Sequence, residues 1–321
     1  MKTSIVLSTY NGSKYIIEQI ESIRLQTKNV DEVIICDDCS KDNTVELVNN
    51  YIQKYNLKNW IINCNTENKG YIKNFLDGAQ LATGNVIFFS DQDDIWDNKK
   101  IEIMLNVFIE KNALAVYCLS DTIDENGKKR KNSIEKINRI RGKFEIDKVS
   151  LCKKLKYSRS PGLCLAFKKN ILNEVYNMSM KYNLPHDLPV GTLSAIKDGY
   201  YVVNKVLVHH RVHNNNVSKP DVKLQSSFFN IQREIDSRKL KQREFKAINE
   251  SYRGNLKEYE CRELDKAISI NNDIIKYLKN RKVMGILILF FNNCKMINKK
   301  LIIRNILAVI FCKRNGEKNE L

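Results

Sequence analysis

Residues 86–94 read Val86-Ile87-Phe88-Phe89-Ser90-Asp91-Gln92-Asp93-Asp94. Four unbroken apolar residues fit a strand buried on both faces, and the abrupt change to Ser-Asp-Gln-Asp-Asp ends it. The sequence before it repeats that pattern. Thr3–Ser8 is a short apolar run closed by Thr-Tyr-Asn-Gly, and residues 14–26 then set Ile16, Ile17, Ile20 and Ile23 at helical spacing. Glu32–Cys36 is a second strand, followed by a helix over 43–55 with Val45, Val48 and Ile52 on one face. Trp60–Cys64 is a third strand, and residues 71–82 form a third helix. Strands alternating with helices of this length imply an α/β fold with a mostly parallel, doubly wound sheet. Ligands of such sheets lie beyond the carboxyl ends of the strands. Three of these ends are polar: Ser8–Asn11, Asp37–Asp38 and Ser90–Asp94.

From about Ala113 the pattern loosens into shorter strands at Ala115–Leu119, Leu163–Phe167 and Tyr201–Val208, and from Lys219 it becomes helical and highly charged. The expected division is therefore a domain over 1–218, with halves at 1–112 and 113–218, and a helical extension over 219–321. No run reaches the roughly 18 apolar residues that a membrane-spanning helix needs. The opening residues are too polar for a signal peptide. Nine scattered cysteines, an odd number, read as reduced thiols of a cytoplasmic protein. Cys36 and Cys39 form a C-x-x-C pair but lack the second pair of a zinc site.

The net charge is +17, and residues 275–321 alone carry +9 of it. A basic surface suits nucleic acid or anionic lipid. Nucleic-acid binding is the alternative reading of the chain, but it calls for exposed aromatics in a basic groove. Here the basic residues alternate with Ile, Leu and Phe at helical spacing, so the expected partner is an anionic membrane surface and not nucleic acid. The tail then reads as an interfacial anchor, holding the protein peripherally at the inner face of the cell membrane.

Three carboxylates within Asp91–Asp94 repel one another unless a cation neutralises them. Hard oxygen donors on a loop suit Mg²⁺ or Mn²⁺, which keep waters and bridge to substrate phosphates. Neither a Rossmann fingerprint nor a P-loop is present, so a nucleotide must be held in another way.

The order of these segments resembles family 2 glycosyltransferases. Residues 4–12 (Ser4-Ile5-Val6-Leu7-Ser8-Thr9-Tyr10-Asn11-Gly12) look like that family's first strand and turn, and residues 33–44 like its V-D-D-x-S-x-D-x-T segment. Asn68-Lys69-Gly70 with Asn74 follows, then residues 88–96 as the D-x-D region in the form of the rhamnosyltransferase-like subgroup. Pro161–Phe167, His186-Asp187 and residues 211–217 are similar to the acceptor-side pattern. The resemblance covers about residues 1–218. It implies a GT-A fold and an inverting transfer of a sugar, with rhamnose from dTDP-rhamnose as the suggested donor. The acceptor would be a hydroxyl of a growing cell-surface polysaccharide or lipid-linked glycan.

It also implies roles. Ser8, Tyr10, Asn11 and Asp38 would contact the nucleotide, and Arg211 would lie at the diphosphate. Asp91 and Asp93 would form the D-x-D and, with His213, hold the metal, Asp93 as its direct ligand. Asp187 would be the general base. The chain departs from the subgroup at Leu188-Pro189-Val190-Gly191, where bulky aromatics are usual, and at His209-His210, where a Tyr precedes the arginine.

Overall fold

A computed structural model describes residues 1–130, 145–156, 161–213, 230–293 and 299–311. The motif residues 214–217, the expected boundary at 218 and the tail beyond 311 lie outside the described residues.

The described residues alternate β1 (Thr3–Thr9), α1 (Ile16–Arg24), β2 (Glu32–Asp37), α2 (Thr44–Lys54), β3 (Trp60–Cys64), α3 (Tyr71–Leu81) and β4 (Val86–Ser90). There follow β5 (Ile95–Trp96), α4 (Lys100–Lys111), β6 (Ala115–Ile123), β7 (Ile146–Lys148), α5 (Leu151–Lys156) and β8 (Leu165–Lys168). Then come α6 (Leu172–Tyr182), α7 (Asp187–Ile196), β9 (Tyr200–Arg211), α8 (Ile231–Ser251), α9 (Glu258–Lys279), α10 (Val283–Asn292) and α11 (Lys299–Phe311).

The nine strands of the described residues join one sheet in the order β3-β2-β1-β4-β8-β6-β9-β5, with β7 also paired to β9. From β1 to β4 every pairing is parallel, as the strand–helix alternation requires. Beyond β4 the sheet is mixed: β8 runs antiparallel to both β4 and β6, while β6 and β9 are parallel. The chain therefore turns outward from β1 in both directions. This switch point, at the carboxyl ends of β1, β2 and β4, is where an open α/β sheet leaves a crevice. Its core is built as the apolar runs predicted. Ile5–Leu7, Val33–Ile35 and Val86–Phe89 are inaccessible to solvent, and Ile16, Ile20 and Ile23 of α1 close one face.

The described chain forms two compact units. The first runs to Val212 apart from residues 155 and 156, and the second begins at His213. In the second unit, α8 is capped by Asn230, whose side chain accepts from the Gln232 and Arg233 N–H groups. Helices α8 to α11 share an apolar cluster that includes Ile231, Ile235, Ile274, Leu278, Ile286 and Ile302. Among the described residues, no helix is long and apolar enough to cross a membrane.

Candidate active site

The turn after β1 is locked to its neighbours by side chains that sequence reasoning passed over. Gln92, between the two aspartates of the D-x-D, accepts from the Tyr10 N–H at 2.8 Å and the Thr9 hydroxyl at 2.7 Å, and donates to the Tyr10 carbonyl at 3.1 Å. It pins the acidic loop to the end of β1. A Cβ on Gly12 would come within 2.2 Å of the Gln92 Oε1, so that position takes glycine because the two loops meet there. Asn11 faces the other way. Its N–H donates to Ser40 Oγ and its side-chain oxygen accepts from the Lys41 N–H, which ties β1 to the turn after β2. Its left-handed backbone, at φ 48°, is one that Asn tolerates.

Asp38 is buried at the end of β2. Its carboxylate accepts from Asn65 Nδ2 and the Lys69 N–H through one oxygen, and from the Gly70 N–H through the other. Gly70 has φ 79°, a conformation that favours glycine and lets two successive N–H groups turn toward one carboxylate. Ser8 Oγ accepts from Asn74 Nδ2 at 2.7 Å, and Asn74 also donates to the Cys36 carbonyl. Tyr10 is 45% exposed.

Within the acidic loop the three aspartates have different environments. Asp94 is fully buried, its Oδ1 accepting from the Arg211 N–H at 3.1 Å and lying 2.9 Å from His210 Nδ1. Asp93 is nearly buried, and its main-chain carbonyl accepts from Arg211 Nε at 3.0 Å. Asp91 is pushed well above the usual carboxylate range by burial first, then by the charges of Asp94 and Asp93, with Asp187 adding to them. Asp187 is thus near enough for its charge to be felt at the acidic loop. It is the first residue of α7, a helix buried from Leu188 to Ala195.

Arg211, expected at the diphosphate, is completely buried at the end of β9. Its guanidinium donates to the carbonyls of Asp93 and Glu125 and to the Glu18 carboxylate, and stacks over Tyr15 at 4.7 Å. These contacts make it a brace for the acidic loop. Glu18 and Arg211 are far apart in sequence, and nothing in the local pattern of either announces the other. His213 is buried and opens the second unit. Lys100 is another residue the sequence did not single out. Its ammonium lies 3.3 Å from the Trp96 ring centre and donates to the Leu163 carbonyl at 2.7 Å, which fixes the turn before β8.

Among the described residues, no three His, Cys, Asp or Glu side chains form a ready metal-binding group. The donor chemistry nevertheless fits a hard cation. Asp91 is held in a field of like charge that a divalent ion would neutralise, and such ions complete their shell with water and phosphate oxygens.

His186, just before Asp187, stacks on Phe75 with ring centres 4.2 Å apart and meets Phe89 edge-on at 4.9 Å. Among the described residues neither ring nitrogen has a hydrogen-bond partner, and burial pushes its pKa down to about 3. The unfolded chain takes up this proton near pH 6.5 and the folded chain only near 3. The contribution of neutral His186 is therefore complete above pH 6.5 and is lost as pH falls from there toward 3. Across that window the expected cost approaches about 1.4 kcal/mol per pH unit. His186→Phe should flatten this part of the stability curve, read as denaturation midpoints from pH 7 to 4. Equal acid slopes in the two proteins would refute the assignment.

A sequence model of glycosyl transferase family 2 matches residues 4–175, more than half of the chain. The chain belongs to that family. Among curated relatives, this glycosyltransferase is 27% identical over 223 residues to an uncharacterized glycosyltransferase of Nostoc sp., covering 68% of this chain and 67% of that protein. It is 29% identical to the dTDP-rhamnosyl transferase RfbG of Shigella flexneri, over 65% of this chain and 72% of the relative. It is 38% identical to the poly(ribitol-phosphate) beta-N-acetylglucosaminyltransferase TarS of Staphylococcus aureus, but over only 29% of this chain and 16% of that protein.

Solved structures share the fold. The glycosyltransferase superposes on residues 1–349 of TarS in complex with UDP-GlcNAc with a TM-score of 0.57 at 14% identity, covering 96% of this chain and 89% of the other. The mannosyltransferase PcManGT of Pyrobaculum calidifontis, in complex with GDP-Man and Mn²⁺, gives 0.58 at 16% identity, covering 98% and 88%. The fold of this family 2 enzyme is GT-A, with a helical carboxyl-terminal region.

Proposed function

We propose that this glycosyltransferase moves a sugar, with inversion, from a nucleoside-diphosphate donor to a hydroxyl of a growing cell-surface polysaccharide or lipid-linked glycan at the inner face of the cell membrane. The observation that carries the reading is the gathering of the β1, β2 and β4 ends around Asp91–Asp94, with the charge of Asp187 felt at Asp91.

Ser8, Tyr10, Asn11 and Asp38 frame the nucleotide. Tyr10 offers an open ring face. Asp38 uses three of its roughly four acceptor positions on the protein and keeps one for a base N–H or ribose hydroxyl. Asp91 and Asp93 would hold Mg²⁺ or Mn²⁺, which when bound stabilises negative charge on the departing diphosphate. Arg211 keeps the Asp93 carbonyl in place. Asp187 takes the proton of the acceptor hydroxyl as its oxygen bonds to the anomeric carbon. The bond to the diphosphate oxygen breaks on the opposite face, and the diphosphate leaves with the electron pair.

The likeness to a dTDP-rhamnosyl transferase favours dTDP-rhamnose as donor. With Mg²⁺ or Mn²⁺, a panel of UDP-, dTDP- and GDP-sugars should show slow hydrolysis of one donor and preference for dTDP-rhamnose. If another nucleotide sugar is preferred, the rhamnosyl assignment falls. If none is bound or hydrolysed, the transferase reading falls with it.

A further inference from the structure

Helices α10 and α11 carry large apolar residues both turned inward and turned outward. The inner face belongs to the second unit's core. Ile286 and Ile302 are buried there, and Val283, Leu289 and Phe290 pack against them. The outer face is open. On α10, Met284, Ile288 and Phe291 follow one another at i, i+4 and i+7 and are 66%, 57% and 72% exposed. On α11, Ile303 and Ile310 stand one heptad apart and are both 56% exposed. Scattered exposed apolar residues are ordinary, but five large ones concentrated on two helices that pack together suit a docking surface.

The charge around this row identifies its occupant. No Asp or Glu occurs between Asp273 and Glu317, while eleven Lys and Arg lie from Lys276 to Lys318. Lys276, Lys279 and Lys282, just before and at the start of α10, are exposed. Arg304, one of the eleven, is already engaged by Glu234 at 3.0 Å, which leaves ten. Apolar residues exposed on a segment rich in cations, with no Asp or Glu of its own from 274 to 316, fit an anionic lipid surface, with the side chains among acyl chains and the ammoniums among phosphates. Ten residues of helix reach only about 15 Å, half of a bilayer's hydrocarbon core, so α10 lies in the interface.

We infer that the outer face of α10 and α11 docks on an anionic bilayer through Met284, Ile288, Phe291, Ile303 and Ile310. The inference rests on the reading that the enzyme works at a membrane, and it names the surface that would hold it there.

The test uses the full chain and two kinds of vesicle, phosphatidylcholine alone and phosphatidylcholine containing phosphatidylglycerol. The wild type should sediment with the second and not the first, and added salt should weaken binding. Each basic residue at an anionic surface multiplies affinity about fivefold. The triple variant Met284→Ser, Ile288→Ser, Phe291→Ser alters only exposed positions. It should lose vesicle binding by tenfold or more and hydrolyse donor as the wild type does. Equal sedimentation of variant and wild type overturns the inference, as does a wild type that ignores anionic vesicles. So does a wild-type dimer that the triple variant converts to monomer without any vesicle binding, since the face would then hold a second copy. Loss of donor hydrolysis in the wild type would instead refute the transferase reading, which vesicle binding does not touch.

Discussion

Asp187→Asn is expected to lower turnover by about 10²–10⁴ while leaving donor affinity nearly unchanged, the usual signature of a lost general base. The amide keeps the size of the carboxylate but cannot take the acceptor's proton. Asp187 opens a helix whose next eight residues are all buried, so its position is set by a rigid element. The substitution leaves that packing alone. It also removes one of the charges that raise Asp91, so the donor side should be no worse for it. Single-turnover rates with saturating donor, alongside equilibrium binding of the nucleoside diphosphate, separate the two effects. Retained turnover would move the base elsewhere. Asp198 is poorly suited to replace it, because its carboxylate is exposed and paired with Lys148 at 2.5 Å.

The first half of the sheet was legible because its signals are local. Each strand is an apolar run ended by a polar cluster, and Trp60–Cys64 matches the observed β3 residue for residue. The second half was less so. The two-residue β5 and three-residue β7 are too short to carry a pattern, and the residues before β8 form a 3-10 turn where a longer strand from Leu163 was expected. At the site, residue types were readable but their partners were not. Asp38 and Asn11 stand at the strand ends foreseen for them, yet their polar atoms also brace neighbouring loops. The motif around Arg211 suggests a place at the diphosphate, but nothing in the sequence reveals that the Asp93 carbonyl and Glu18 meet it in a buried setting. The sequence of the tail points to an anchor. Periodicity showed two apolar helices, but only the fold separates Ile286, turned inward, from Met284, Ile288 and Phe291, turned out.

Asp93→Asn should abolish measurable turnover and weaken nucleoside-diphosphate binding only when Mn²⁺ or Mg²⁺ is present. The argument starts from repulsion. Asp91 is held protonated to higher pH than an ordinary carboxylate by burial and by Asp94 and Asp93, so the free enzyme carries more negative charge here than it can comfortably hold. Such an arrangement costs stability in the absence of a cation and is kept for function. Neutralising Asp93 relieves part of that cost, and the bond from Arg211 to its main-chain carbonyl is left in place. Without divalent ions the variant should therefore melt at the same temperature as the wild type or higher. Adding Mn²⁺ should raise the melting temperature of the wild type and leave the variant where it was. Diphosphate affinity should follow the same pattern, equal without metal and divergent with it. A variant that gains as much from Mn²⁺ as the wild type, in both melting and diphosphate affinity, would remove Asp93 from the metal site.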